Sequence, residues 1–144
     1  MRQMRDNHGE LHLRFLKELV KEPRTINKLR AAFSEISYYY HICGIEVEFI
    51  GSFHISQKER DIVLYEEEGG FPSGEPLRFI FRLDEHKNMV FYFYPSERDF
   101  DDEEKEELEI YALGALFYLE RIHFENAYFR HDIGQRALQA LRED

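Results

Sequence analysis

Residues 77–94 read LRFIFRLDEHKNMVFYFY: two runs of aromatic and branched side chains separated by the polar segment Asp84–Asn88. Runs of this kind on either side of a short polar turn predict a β-hairpin. With the turn centred near His86, Leu83 faces Met89, Phe81 faces Phe91 and Phe79 faces Phe93, and this side of the ribbon is assigned to the core. The other side then carries Arg82 with Val90, Ile80 with Tyr92 and Arg78 with Tyr94.

Upstream of the hairpin, Ile45, Val47 and Phe49 alternate with Glu46 and Glu48, the period of a half-buried strand, and Gly51 marks a bulge or the strand end. Asp61–Glu66 (DIVLYE) reads as a second strand. Between it and the hairpin, Glu67–Pro76 holds three glycines and two prolines, too many for a helix. Closer to the N-terminus the period is helical. Leu11, Phe15 and Leu19 recur at four-residue steps, widened by Leu16 and Val20, so Leu11–Val20 is an amphipathic helix that Pro23 interrupts. From Thr25, a residue suited to an N-cap, Ile26, Leu29, Phe33, Ile36 and Tyr40 recur at alternating steps of three and four. That helix is expected to end near His41–Gly44, with the glycine as its cap.

Downstream of Pro95, residues 97–109 carry nine acidic and two basic side chains. Asp101 and Glu104 have the spacing of a capping box, and acids in a first turn complement the helix dipole. From Asp102 onward there is no proline, and a helix of about 35–40 residues is expected. It bears two apolar stripes. Ile110, Leu113, Phe117, Phe124 and Tyr128 are assigned to the sheet. The second stripe, Leu108, Ala112, Ala115, Leu119, Ile122, Asn126, Phe129 and Ile133, has strict four-three spacing and is assigned to a parallel homodimer seam, with Asn126 as the polar residue that fixes register.

The chain has 144 residues, room for one core. Its formal net charge of −10 makes nucleic acid a poor partner, and 43% hydrophobic residues argue for a folded chain. The charge is uneven: residues 1–43 carry eight basic and five acidic side chains, and the remainder eleven and twenty-four. The single cysteine, Cys43, excludes an internal disulfide and suits the cytoplasm. No run approaches the apolar length of a membrane span.

The residue types that carry chemistry are sparse. His8 and His12 are four apart, but Gly9 and the chain terminus favour exposed, frayed residues over metal ligands, and no metal or cofactor is expected. Tyr38–His41 and Cys43 read as structural. No phosphate loop, Ser-His-Asp set or H-E-x-x-H pattern occurs. If a small molecule binds, Arg78, Arg82, Tyr92 and Tyr94 on the outer hairpin face suit an anion or a planar anionic ring. The competing reading is that these arginines stack on their cross-strand tyrosines.

The order of elements, with Phe100–Glu104 opening a helix on which Leu108, Tyr111, Ala112, Ala115, Leu116 and Leu119 follow, resembles a GAF domain, a sensor module of bacterial signalling proteins. The PAS fold is the nearest alternative and fits two leading helices less well. The resemblance implies an α+β fold, an antiparallel sheet with N-terminal helices and a long C-terminal helix packed on one face. It divides the chain into a sensory domain, 1–125, and a signalling extension, 126–144. It implies a non-catalytic regulator that dimerises and relays a signal to an output domain, such as a GGDEF or EAL domain handling cyclic di-GMP. The ten residues of Glu67–Pro76 are too few for the lid that encloses ligands in that family, so a ligand-free dimerisation scaffold is an alternative. A further alternative comes from His131-Asp132-Ile133-Gly134-Gln135, followed by Leu138 and Ala140-Leu141. That run resembles the phosphoacceptor helix of a histidine-kinase family, with His131 as the phosphorylated residue.

Overall fold

A computed structural model describes the backbone of residues 2–53 and 60–143 and the side chains of residues 8–53 and 60–122. The elements run α1 (Arg2–Leu19), α2 (Ile26–Tyr40), β1 (Ile42–Gly51), β2 (Asp61–Glu66), β3 (Leu77–Asp84), β4 (Lys87–Pro95) and α3 (Asp102–Glu143). The class is α+β, with three helices and one antiparallel sheet among the described residues, its strands in the order β2-β1-β4-β3.

Local chemistry sets the helix ends. The Thr25 Oγ1 accepts from the Lys28 N–H at 3.2 Å and so starts α2. Its C-cap is His41, in the left-handed region at φ 56°, and not a glycine. Gly44, expected to cap α2, lies inside β1, because the strand begins directly after His41. At the head of α3 both arms of the capping box form: Glu104 N–H donates to Asp101 Oδ1 at 2.8 Å, and Asp101 N–H to Glu104 Oε1 at 3.0 Å. Arg98 adds two bonds to the same Glu104 carboxylate. The acidic run thus serves the helix start.

The hairpin forms, but in a register two residues from the one expected. Phe79 pairs with Phe91, Ile80 with Val90, Phe81 with Met89, Arg78 with Tyr92 and Arg82 with Asn88. The turn closes at Asp84–Lys87, and an irregularity between Arg82 and Asp84 absorbs the extra residue. Because the slip is even, every side chain keeps its face. Phe79, Phe81, Met89, Phe91 and Phe93 lie on the core side, as expected.

Above that inner face the helices form two further layers. Phe33 of α2 is fully buried, its ring 6.3 Å from Phe93 of the sheet and 5.1 Å from Phe15 of α1. Phe15 in turn meets Tyr111 of α3 edge-on at 5.1 Å. Edge-to-face pairs contribute about 0.5–1.5 kcal/mol each beyond their buried area. Leu11, Phe15 and Leu19, one face of α1, close the top of this core. Gly114 of α3 permits the close approach: a Cβ there would sit 3.2 Å from the Phe15 ring.

The two edge strands β2 and β3 are consecutive in sequence, so Glu67–Pro76 must cross the ends of β1 and β4, roughly 15 Å at strand spacing. It is held there by Glu67 N–H to Cys43 O at 2.9 Å and Ser73 N–H to Pro95 O at 2.8 Å. The segment lies along the sheet end.

Candidate functional site

The outer sheet face gathers the four residues expected to take an anion, but it adds carboxylates from β1. Glu46 stands opposite Tyr92 and Val63, and Glu48 opposite Val90 and Asp61. The Tyr92 hydroxyl donates to Glu48 Oε1 at 3.3 Å and the Tyr94 hydroxyl to Glu46 Oε2 at 3.4 Å. Burial, then the neighbouring glutamate, holds each phenol above its usual range. Tyr94 pairs with Gly44 of β1 and has no partner on β3, so Arg78 meets Tyr92 alone. With Glu46 and Glu48 in its centre, this face opposes an anion, and Arg82 Nε donates to the Asp84 carbonyl oxygen at 3.4 Å.

On α3 the two stripes exchange roles. Leu108, Ala112, Ala115 and Leu119 are fully buried in the chain's own core, and Ile122 nearly so. The first five positions of the expected dimer seam are therefore unavailable to a second copy. Small residues at 112 and 115 let the helix axis approach the aromatic sheet face, which a stripe of bulkier side chains cannot do. Of the stripe assigned to the sheet, Ile110 and Phe117 point outward instead, 47% and 64% exposed, while Leu113 is half-buried against the core. Asn126, Phe129 and Ile133, and the candidate phosphoacceptor His131, lie outside the residues whose side chains are described.

His8 and His12 are not frayed. They line the junction of the three helices, and their rings stack at 6.2 Å. Tyr40 of α2 donates its hydroxyl proton to Glu107 Oε2 of α3 at 2.6 Å, while His8 Nδ1 lies 2.8 Å from the same hydroxyl oxygen. With the phenol proton directed to Glu107, its oxygen accepts from a protonated His8 Nδ1, which assigns the tautomer from the network. Tyr111 completes the set, 3.4 Å from His8 Nδ1. Burial first, then Glu107, keeps the Tyr40 phenol protonated far above its usual range; burial does the same for Tyr111. A carboxylate, a phenol and an imidazole thus tie three helices together across sequence separations that no local pattern reveals. Among the described residues no group of three metal-ligating side chains occurs.

The cluster sets a pH dependence. Burial, then the charge of His8, lowers the His12 pKa from its ordinary 6.5, and its Nδ1 is buried without a hydrogen-bond partner. The folded chain then binds fewer protons than the unfolded chain near that pH. Stability from His12 is complete above about 6.5 and is lost as pH falls below it. Urea midpoints measured from pH 8 to 5.5 should fall over that window, and His12→Gln should flatten the fall. An unchanged slope in the variant would remove His12 as the cause.

Comparison with protein-family models, with curated proteins and with solved structures found no match to this chain. No helix among the described residues is long and apolar enough to cross a membrane.

Proposed function

We propose that the chain is a non-catalytic, GAF-like regulatory domain that pairs with a second copy through α3 and relays a change in its body along that helix to an attached output domain. The observation that carries this reading is α3 itself. It has 42 residues, about 63 Å at 1.5 Å per residue, whereas the longest strand has ten, about 33 Å. Its last described core residue is Ile122, yet the helix continues to Glu143. A helix that seals the core over its first half and continues as far again links packing to whatever lies along it.

The pairing surface is formed by the exposed Ile110 and Phe117 of α3, together with Leu13, Leu16 and Val20 of α1, which are exposed on the layer farthest from the sheet. Exposed apolar side chains at helical spacing on two adjacent helices suit a bundle made with the same helices of a second copy. In keeping with the resemblance, the output is a GGDEF or EAL domain in cyclic di-GMP signalling, and the compartment is the cytoplasm.

Sedimentation equilibrium tests the pairing. The wild-type chain should sediment at twice 17.4 kDa, and the double variant Ile110→Glu, Phe117→Glu at the monomer mass with the far-ultraviolet circular dichroism spectrum of the folded wild type, since both side chains lie outside the chain's own core. A wild-type chain that stays monomeric at 100 µM would overturn the reading. A dimer whose output does not respond to disruption of this surface would leave a scaffold.

A further inference from the structure

The C-terminal end of α2, the start of β1 and the ends of β2 and β4 line an open pocket of about 400 Å3 at the end of the sheet. Tyr38, Tyr39 and Tyr65 supply its aromatic walls, Glu67 and Glu97 its charge, and no lysine or arginine lines it. Ser37 also lines it; this residue is 1% exposed, and its hydroxyl oxygen has no hydrogen-bond partner. The carboxylates differ. Glu97 Oε1 is 3.5 Å from His41 Nδ1, while Glu67 has no cation paired with it among the described residues.

We propose that this pocket binds a protonated organic amine. Phenol faces attract a cation through the ring quadrupole, and an unpaired carboxylate beside them supplies the counter-charge. An ammonium also brings N–H groups, whose hydrogen bonds the Glu67 carboxylate can accept and which a quaternary ammonium lacks. An anion is disfavoured by both carboxylates. The net charge of −10 further raises the local concentration of small cations.

The location gives binding a consequence. Ser96 and Glu97, which line the pocket, belong to the segment joining β4 to α3, and Ser96 is fastened to the α2 cap by its N–H and hydroxyl donating to His41 O at 2.9 and 2.8 Å. An amine between Glu67 and Glu97 therefore touches the segment that launches α3. Binding does not depend on the pairing of α3, and the two are measured separately.

Isothermal titration of the full chain with putrescine, with choline as the quaternary contrast and sodium chloride at matched ionic strength, tests the site. Putrescine should bind saturably, at least tenfold more tightly than choline. Glu67→Gln, at an exposed position, should weaken it about tenfold, and Tyr38→Ala, at a side chain 86% exposed, about fivefold, with both variants keeping the wild-type urea midpoint. No saturable heat up to 10 mM putrescine, choline binding as tightly as putrescine, or undiminished binding by Glu67→Gln would each overturn the assignment.

Discussion

Replacing Phe33 by alanine is expected to lower the unfolding free energy by about 3–5 kcal/mol, the range for deleting a buried aromatic ring from a packed core. Phe33 is fully buried and is the one ring described that meets both α1, through Phe15, and the sheet, through Phe93. A cavity there separates two interfaces at once, and neither neighbour can fill it without leaving the other. Against a typical total of about 5–15 kcal/mol, such a loss leaves a marginal fold. Urea denaturation followed by far-ultraviolet circular dichroism measures it. Tyr38→Ala on the exposed side of the same helix is the control and should change stability by less than about 0.5 kcal/mol. Equal losses in the two variants would show that α2 is stabilised by its helix alone and that the aromatic bridge contributes nothing.

Gly51→Ala is expected to cost about 2–4 kcal/mol, from backbone strain and a lost hydrogen bond together. Gly51 closes β1 at φ 109°, and a Cβ built there would stand 1.8 Å from the carbonyl oxygen of His86 in the β3–β4 turn. That same oxygen accepts from Ser52 N–H at 2.8 Å. The side chain can fit only if the turn moves away, which breaks this bond and the Gly51–Lys87 pairing. Gly69 separates the two causes, because its φ is also positive, 73°, but nothing lies within 4 Å of its Cβ position. Gly69→Ala should therefore cost only the conformational part, about 1 kcal/mol. Equal losses at the two glycines would mean that the close approach at Gly51 relaxes freely.

How much of this was legible in the sequence depends on whether the cause is local. The steps of three and four from Ile26 to Tyr40 need only a helix's own geometry, and α2 spans those residues. Asp61–Glu66 is a strand over the residues read, and Asp101 and Glu104 cap α3, since a side chain reaching a backbone group three residues away is a local event. The faces of β3 and β4 were also legible, because a period of two survives an even slip in register. The register itself was not: it depends on where the two-residue turn closes, and an irregularity near Leu83 changes that without any mark in composition.

The site was less legible. Gly9 and the chain terminus argued for fraying at His8 and His12, while Tyr40 and Tyr111, far along the chain, hold them in place. The signal available was their four-residue spacing in phase with Leu11 and Leu19 on the buried side of α1. Likewise Ser37 is an ordinary serine in a helix until the end of the sheet encloses it.

By itself, then, the sequence determined the class of fold, the identity and order of its elements, the N-caps of α2 and α3 and the aromatic face that became the core. Only the tertiary structure decided which stripe of α3 is buried. Ile110, Leu113 and Phe117 and Leu108, Ala112, Ala115 and Leu119 are both apolar at helical spacing, and a spacing of four and three fits a partner in the same chain as well as one in another. The choice rests on depth. The aromatic sheet face is already thick, and the alanine-bearing stripe lets the helix come close enough to exclude water, leaving the bulkier one at the surface.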